Sequence, residues 1–234
     1  IRHMISANII KMLKFVNIDQ QKEIIQKFNN NEKEVSFKTY PDLINLLKKK
    51  YKNDQQFNFL DFGGEFIDQY LILKKNFPNI KYFIFNQKKI NEVFSEIVKK
   101  YGYKDIFVLK SLDDVTTNNY NFINFGSVLQ YVHNYVDLLS KLLPLSKEYI
   151  LVSGSHFYKN HSNKSEFVTM QMNLWPKKLF LYFFNFDDFK KKFDEKNFEI
   201  EFEEKNLTHN INYENFQKLN INNVQYTDIL FKKK

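Results

Sequence analysis

The residue types able to do chemistry fall into three groups along the chain. The first is Asp61-Phe62-Gly63-Gly64, a carboxylate set just before two glycines at the end of an apolar run. Glycine lets a backbone turn tightly and approach a ligand with no Cβ in the way. The spacing is neither a phosphate-binding P-loop nor a full Gly-x-Gly-x-x-Gly fingerprint. A carboxylate here suits a cationic ligand that carries an amino group, and would repel a pyrophosphate. The second group is the histidines, the natural proton acceptors near neutral pH. His133 and His156 follow apolar runs and His161 comes shortly after, whereas His3 and His209 lie away from them. The third group is Gln171, Trp175 and Tyr182 in an aromatic-rich stretch. Ring faces suit sugars and an amide suits hydroxyls, but the same residues would serve equally as an aromatic lid packed on a sheet.

Composition removes several classes of function. The chain has 234 residues and no cysteine, which excludes a disulfide framework, a thiolate nucleophile and a cysteine zinc site. No metal site is expected. The net charge of +8 invites a nucleic-acid reading. Yet Arg2 is the only arginine, and Ile1-Arg2-His3 before Met4 reads as a vector remnant. Specific readers of nucleic acid lean on the guanidinium fork, which lysine does not imitate, so the lysines are read as a solvated surface with no nucleic-acid partner. No apolar run approaches the roughly 20 residues of a membrane span, and the start lacks a signal-peptide pattern. A cytoplasmic protein is the expectation. The run from Leu179 to Phe186 is read as a buried strand or pocket wall rather than a membrane-touching patch.

Elements must position these groups. Ile9, Ile10, Leu13, Val16, Ile24, Ile25 and Phe28 predict two short amphipathic helices within residues 5–30, and a further helix is expected from Pro41 to about Tyr51. Residues 1–56 thus read as an N-terminal helical extension to a domain spanning 57–234. In that domain strands are predicted at Phe57–Leu60, Ile80–Phe85, Ile106–Leu109, Phe122–Phe125 and Tyr149–Val152. Helices are expected between them through Tyr70, Leu71 and Leu73, at Ile90–Tyr101 and at Tyr135–Leu143. Alternating strands and helices, with strands that are apolar throughout, indicate a parallel α/β sheet covered on both faces. Helix Asp187–Lys196, the segment Phe198–Thr208 and the strand Val224–Phe231 then suggest an antiparallel pair closing one edge. Ligands of such sheets bind beyond the carboxyl ends of the strands, where strand order reverses. That rule places the glycine pair, His133 and His156 on the ligand rim.

From Phe59 onward the chain resembles the small methyltransferases of bacterial surface-polysaccharide (capsule and lipopolysaccharide) gene clusters. The resemblance rests on Leu60-Asp-Phe-Gly-Gly64, Gln87, Gly126-Ser-Val-Leu-Gln-Tyr131, Tyr149-Ile-Leu-Val152 and Val168-Thr-Met-Gln171. It implies a Rossmann-like methyltransferase fold, S-adenosylmethionine as cofactor, and a sugar or sugar-linked acceptor. Cofactor contacts are then expected from Asp61, Gly63, Gly64, Asn86 and Gln87, from Ser111 and Leu112 beside adenine, and from Phe125, Gly126 and Ser127 under the sulfonium. Gln130, Tyr131, His161, Gln171, Trp175 and Tyr182 would line the acceptor site, with His156 and then His133 as candidate base. Glu65 and Phe66 stand where relatives continue with glycine, which stiffens the loop. Asn86 stands where a carboxylate would grip both ribose hydroxyls, so restoring Asp there should tighten cofactor binding by about 1 kcal/mol. The expected activity is O-methyl transfer to a small polar acceptor. The alternative is a catalytically silent module that binds S-adenosylmethionine or a partner.

Overall fold

The structure is a computed structural model that describes residues 17–30, 42–159, 166–174, 177–206 and 223–234. The first expected helix around Ile9 and Leu13, and also Pro41, His161, Trp175 and His209, lie outside the described residues. Two N-terminal helices, α1 (Ile18–Asn29) and α2 (Leu43–Lys50), precede the alternating part of the chain. That part runs β1 (Asn58–Phe62), α3 (Asp68–Asn76), β2 (Lys81–Phe85), α4 (Lys88–Tyr101), β3 (Ile106–Leu109), α5 (Leu112–Thr116), β4 (Tyr120–Gly126), α6 (Tyr135–Leu142) and β5 (Ser146–Tyr158). A hairpin follows, β6 (Glu166–Leu174) and β7 (Lys177–Asn185), then α7 (Phe186–Asp194), β8 (Phe198–Lys205) and β9 (Val224–Lys233).

The sheet order is β3-β2-β1-β4-β5, with these strands parallel. On the far side of β5 lies β9, antiparallel to both β5 and β8. Strand order reverses between β1 and β4, which opens the crevice of a Rossmann-like sheet at their carboxyl ends.

The strands are apolar throughout because successive residues feed different cores. Leu60, Phe62, Ile123, Phe125, Ile150 and Val152 pack with Leu138, Leu139 and Leu142 of α6 and Phe189 and Phe193 of α7. Phe59, Tyr82, Ile84, Phe122 and Leu151 face the other way, onto Ile25 of α1, Leu43, Leu46 and Leu47 of α2, and Ile90, Phe94 and Ile97 of α4. The N-terminal helices thus share a core with the sheet. The last helix starts where the sequence indicates, with the Asn185 side chain accepting from the N–H groups of Asp187 and Asp188.

Two features depart from the sequence expectation. Residues 112–116 form the short helix α5, whose amino end is closed by a reciprocal Ser111–Asp114 capping box. More consequential is β5, which continues to Tyr158 instead of ending at Val152. Its pairing with β4 stops at Gly126–Ser153, a bulge follows between Val152 and Ser155, and Phe157 and Tyr158 then pair with Phe184 and Asn185 of β7. The bulge centres on Gly154, whose φ of +59° lies in the left-handed region. A bulge adds twist and re-aims the strand, and the β6–β7 hairpin joins β5 beyond the carboxyl end of β4.

A Cβ at Gly154 would lie 2.2 Å from Ser127 Oγ and 2.5 Å from the Tyr226 hydroxyl. Gly154→Ala should therefore cost about 2 kcal/mol or more, from backbone strain plus the displaced hydroxyls. Urea unfolding checks this: the midpoint should fall with the slope unchanged. A wild-type midpoint would mean that the bulge does not need glycine.

Candidate active site

At the end of β1 the Asp61 carboxylate is buried, with 3% of the residue exposed. The Tyr82 hydroxyl donates to its Oδ2 at 2.5 Å, and Asn124 Nδ2 donates to its Oδ1 at 3.1 Å. Burial pushes its pKa up to about 6 against the pull of these two donors. The chain lies directly over this group, since a Cβ on Gly64 would be 2.0 Å from Asp61 Oδ2. Gly63 has a φ of +91°, gives its N–H to the Phe85 carbonyl at 2.7 Å, and would press a Cβ to 2.6 Å from Val128. Both glycines are thus demanded by close contact of the protein with itself. Asp61 works beneath the loop, tying β1 to β2 and β4.

Asn86, at the end of β2, donates from Nδ2 to the Gly64 carbonyl at 2.7 Å, and its Oδ1 accepts the Gln87 N–H at 2.7 Å. Asn91 holds Asn86 in turn, accepting its N–H and donating to its carbonyl and to that of Leu109. A carboxylate could not donate to Gly64, and this gives a physical reason for the amide at position 86. Gln87 is half-buried at the start of α4. From the other side Gln21 of α1, fully buried, donates to the Glu65 carbonyl at 2.9 Å and accepts the Ile67 N–H at 2.8 Å.

Past β3, Ser111 is exposed, and its hydroxyl accepts the Asp114 N–H in the cap of α5. Leu112 is half-buried against the core. At the end of β4, Phe125 is fully buried, with its ring 5.4 Å from that of Phe62, and Gly126 is half-buried.

Ser127 takes φ +51°, a left-handed conformation that a side chain rarely adopts and that often marks a functional turn. Its hydroxyl donates to the Gly154 carbonyl at 3.0 Å, which leaves the Tyr226 hydroxyl, 2.7 Å away, to donate to Ser127 Oγ. Gln130 bonds the same carbonyl through Nε2 at 2.9 Å and accepts from Ser155 Oγ at 3.1 Å. Beneath them Asp228 Oδ1 accepts the Gly154 N–H at 2.6 Å, and both its oxygens accept from Asn206. Burial raises Asp228 to about 6 as well.

Tyr131 joins this group. Burial above all, with the charges of Tyr226 and Glu65 adding to it, raises its phenol to about 12. The glycine loop meets the same turn directly, since Gly63 lies against Val128. Tyr226 carries no signal in the sequence beyond its place in the terminal strand, where it lies directly across from His156.

His156, expected in a loop after the fifth strand, lies inside β5 because the Gly154 bulge interrupts the strand without ending it. It is buried, stacked on Phe183 with ring centroids 4.6 Å apart and 5.0 Å from the Tyr226 ring. His133 is exposed, with Nδ1 2.5 Å from the hydroxyl of buried Tyr182. Tyr182 and Phe183 are consecutive in β7 and point to opposite faces, so the two histidines lie on opposite sides of the hairpin. Gln171 lies on β6 opposite Leu179. Among the described residues no group of three His, Asp or Glu side chains could hold a metal, and no helix is long and apolar enough to cross a membrane.

Asn86→Asp would set a carboxylate oxygen against the Gly64 carbonyl. The variant should lose about 1 kcal/mol of stability, the net worth of the half-buried hydrogen bond that it breaks. A urea midpoint equal to or above wild type would show that the Gly64 bond is not what position 86 serves.

Asp61 offers a pH test. Its folded value of about 6 lies above the 3.8 of an exposed aspartate, so the folded state binds the proton more tightly. Stability owed to this group is full below pH 3.8 and is lost as pH rises through 6. Asp61→Asn should remove that loss, gaining on wild type by up to roughly 3 kcal/mol between pH 4 and pH 7. A stability difference that does not change over this range would mean that Asp61 ionises freely.

No family model matches the sequence, and no curated protein does. Solved structures with the same fold are numerous. The N-terminal domain of EvdMO1, crystallised with SAH bound, superposes with a TM-score of 0.55 at 11% identity, covering 82% of this chain and 79% of that one. The same domain has been crystallised in the presence of SAH and D-fucose. A protein from Galdieria sulphuraria assigned as a sarcosine dimethylglycine methyltransferase gives 0.57 at 12%, covering 81% and 83%. An assigned S-adenosylmethionine dependent methyltransferase from Listeria monocytogenes gives 0.54 at 13%, covering 81% and 97%. With its parallel β3-β2-β1-β4-β5 order and antiparallel β9, the chain has the Rossmann-like fold of these methyltransferases.

Proposed function

We propose that this chain is an S-adenosylmethionine-dependent methyltransferase that transfers a methyl group to oxygen on a small polar acceptor. A sugar or phosphate-type group of a surface-polysaccharide precursor is the acceptor class. The observation that carries the reading is the packing of Gly63 on Val128 of the turn after β4, beside the point where strand order reverses, with Ser127 of that turn bonded to Tyr226 next to His156. Glu65 and the faces of Tyr131 and Tyr226 are of the right kind for a cation, through charge and through the ring quadrupole. The bound cofactor would supply an electrophilic methyl on a sulfonium. Gly63, Gly64 and Asn86 would carry its methionine and ribose side, and Ser111 and Leu112 its adenine.

The acceptor would be held by Gln130 and Tyr131; Tyr182, bonded to His133, faces away from His156, and Gln171 lies on β6 of the same hairpin. Ring faces and amides are the groups that sugars need, and the EvdMO1 domain was crystallised with a sugar present. Gln130 and Tyr131 would orient an acceptor hydroxyl, and His156 would take up its proton. His156 is preferred over His133 because it shares the Tyr226 side of the hairpin. A second reading, a silent binding module, draws on Asn86, whose amide is committed to Gly64 and offers no carboxylate to a ribose.

Calorimetry with S-adenosylmethionine should give saturable, one-to-one binding by the wild type. His156→Phe keeps a ring against Phe183 and should bind the cofactor within about twofold of wild type while methylating about a hundredfold more slowly. Full activity in that variant overturns the base assignment. Cofactor binding with no transfer to any sugar or phosphate acceptor favours the silent module.

A further inference from the structure

The glycine loop is held from outside the sheet, and the geometry points to α1 as part of the ligand-binding machinery. We infer that Gln21 is a positioning residue that fixes the exit of the loop, so that occupancy of the crevice and docking of α1 are coupled. The inference rests on the cofactor reading proposed above.

Gln21 lies one turn into α1, behind the Asn17 cap, and none of it is exposed to solvent. A glutamine on an amphipathic helix belongs on the wet face unless its amide is fully engaged. Here it is engaged at two loop residues: Nε2 donates to the Glu65 carbonyl and Oε1 accepts the Ile67 N–H. The side chain thus copies one rung of strand pairing against residues 65 and 67. Ile67 is the cap position of α3 and its own side chain provides no capping bond, so Gln21 supplies an acceptor there from a different helix.

On the upstream side Asn86 takes the Gly64 carbonyl. Consecutive backbone groups of the loop are therefore held by two side-chain amides, one from β2 and one from α1. Ile25 anchors α1 into the same core as Phe59 and Tyr82, and these flank the Asp61 node below the glycines. Free energy exchanged between loop and helix must act both ways. If Gln21 shapes the loop for its ligand, the ligand must in turn hold α1 more tightly.

Three variants test this: Gln21→Ala, Gln21→Met and Gln21→Glu. Gln21→Met keeps the buried length and neither hydrogen bond, and so guards against a simple packing defect. Gln21→Glu keeps an acceptor for Ile67 and loses the donor to Glu65. Amide hydrogen exchange and calorimetry with S-adenosylmethionine are measured at a temperature where every variant is folded. In Gln21→Met the Ile67 amide should exchange about tenfold faster and cofactor affinity should fall about tenfold, the size expected from buried hydrogen bonds lost. Exchange at Ile123 and Ile150 should not change. Gln21→Glu should keep the Ile67 protection and show a smaller loss of affinity. In the wild type, added S-adenosylmethionine should slow exchange across residues 18–29.

Wild-type affinity in Gln21→Met, despite faster exchange at Ile67, overturns the coupling. Unchanged exchange at Ile67 overturns the claim that Gln21 holds the loop. If the wild type itself binds no S-adenosylmethionine, the cofactor reading fails and the coupling with it. The exchange of Ile67 still decides separately whether the helix fixes the loop.

Discussion

Everything at the crevice depends on one buried carboxylate. Asp61 joins three adjacent strands, its own β1, β2 through Tyr82 and β4 through Asn124, at the level where strand order reverses. An acid in that position is costly to ionise, which is why its pKa rises, and the cost is tolerable only because two neutral donors are fixed around it. The node leaves no room above it. Gly64 is glycine because the chain crosses that carboxylate at contact distance, and the loop so pressed down has carbonyls that need donors. Asn86 and Gln21 answer that need. The identity of position 86, odd from the viewpoint of a cofactor, follows from the packing of the loop on Asp61.

A second node of the same kind lies beneath the turn after β4. Asp228 holds the Gly154 N–H while the Gly154 carbonyl collects Ser127 and Gln130. The backbone N–H and carbonyl of Gly154 are therefore both satisfied, although the buried Ser153 hydroxyl beside it has no partner. Its mechanical effect is to let one strand serve two partners on the same edge, β4 up to Ser153 and β7 from Phe157. Both nodes use a carboxylate raised to about 6 by burial, so both are sensitive to pH over the same interval.

The architecture was legible in the sequence because it is written in hydrophobic pattern. Runs such as Phe59-Leu60 and Ile123 with Phe125 feed two cores, and only a doubly covered parallel sheet demands that. The glycine pair was legible as a close approach, though the sequence could not say that the approaching group would be Asp61. The end of β5 was not legible: Ser153-Gly154-Ser155 has the composition of a turn, and its bulge depends on Asp228 and Tyr226, more than seventy residues later. Gln21 was invisible for a related reason. In a polar stretch, Ile18-Asp-Gln-Gln21-Lys, nothing local distinguishes the amide that is buried from the one beside it.

The arrangement of the histidines follows from strand geometry rather than from the loops where they were expected. Tyr182 and Phe183 are neighbours in β7, so one ring must face α6 and the other must face β9. His133 comes from the turn leading into α6 and meets Tyr182; His156 comes from β5, across from Tyr226, and meets Phe183. A single hairpin cannot bring both histidines to one reacting atom. Only the His156 side adjoins Tyr226 and, through it, the Ser127 turn, whose Val128 lies against Gly63. The choice between two candidate bases thus reduces to which face of one strand looks onto the crevice. That face is set by the Gly154 bulge, because a shift of one residue in β5 would exchange the inward and outward side chains.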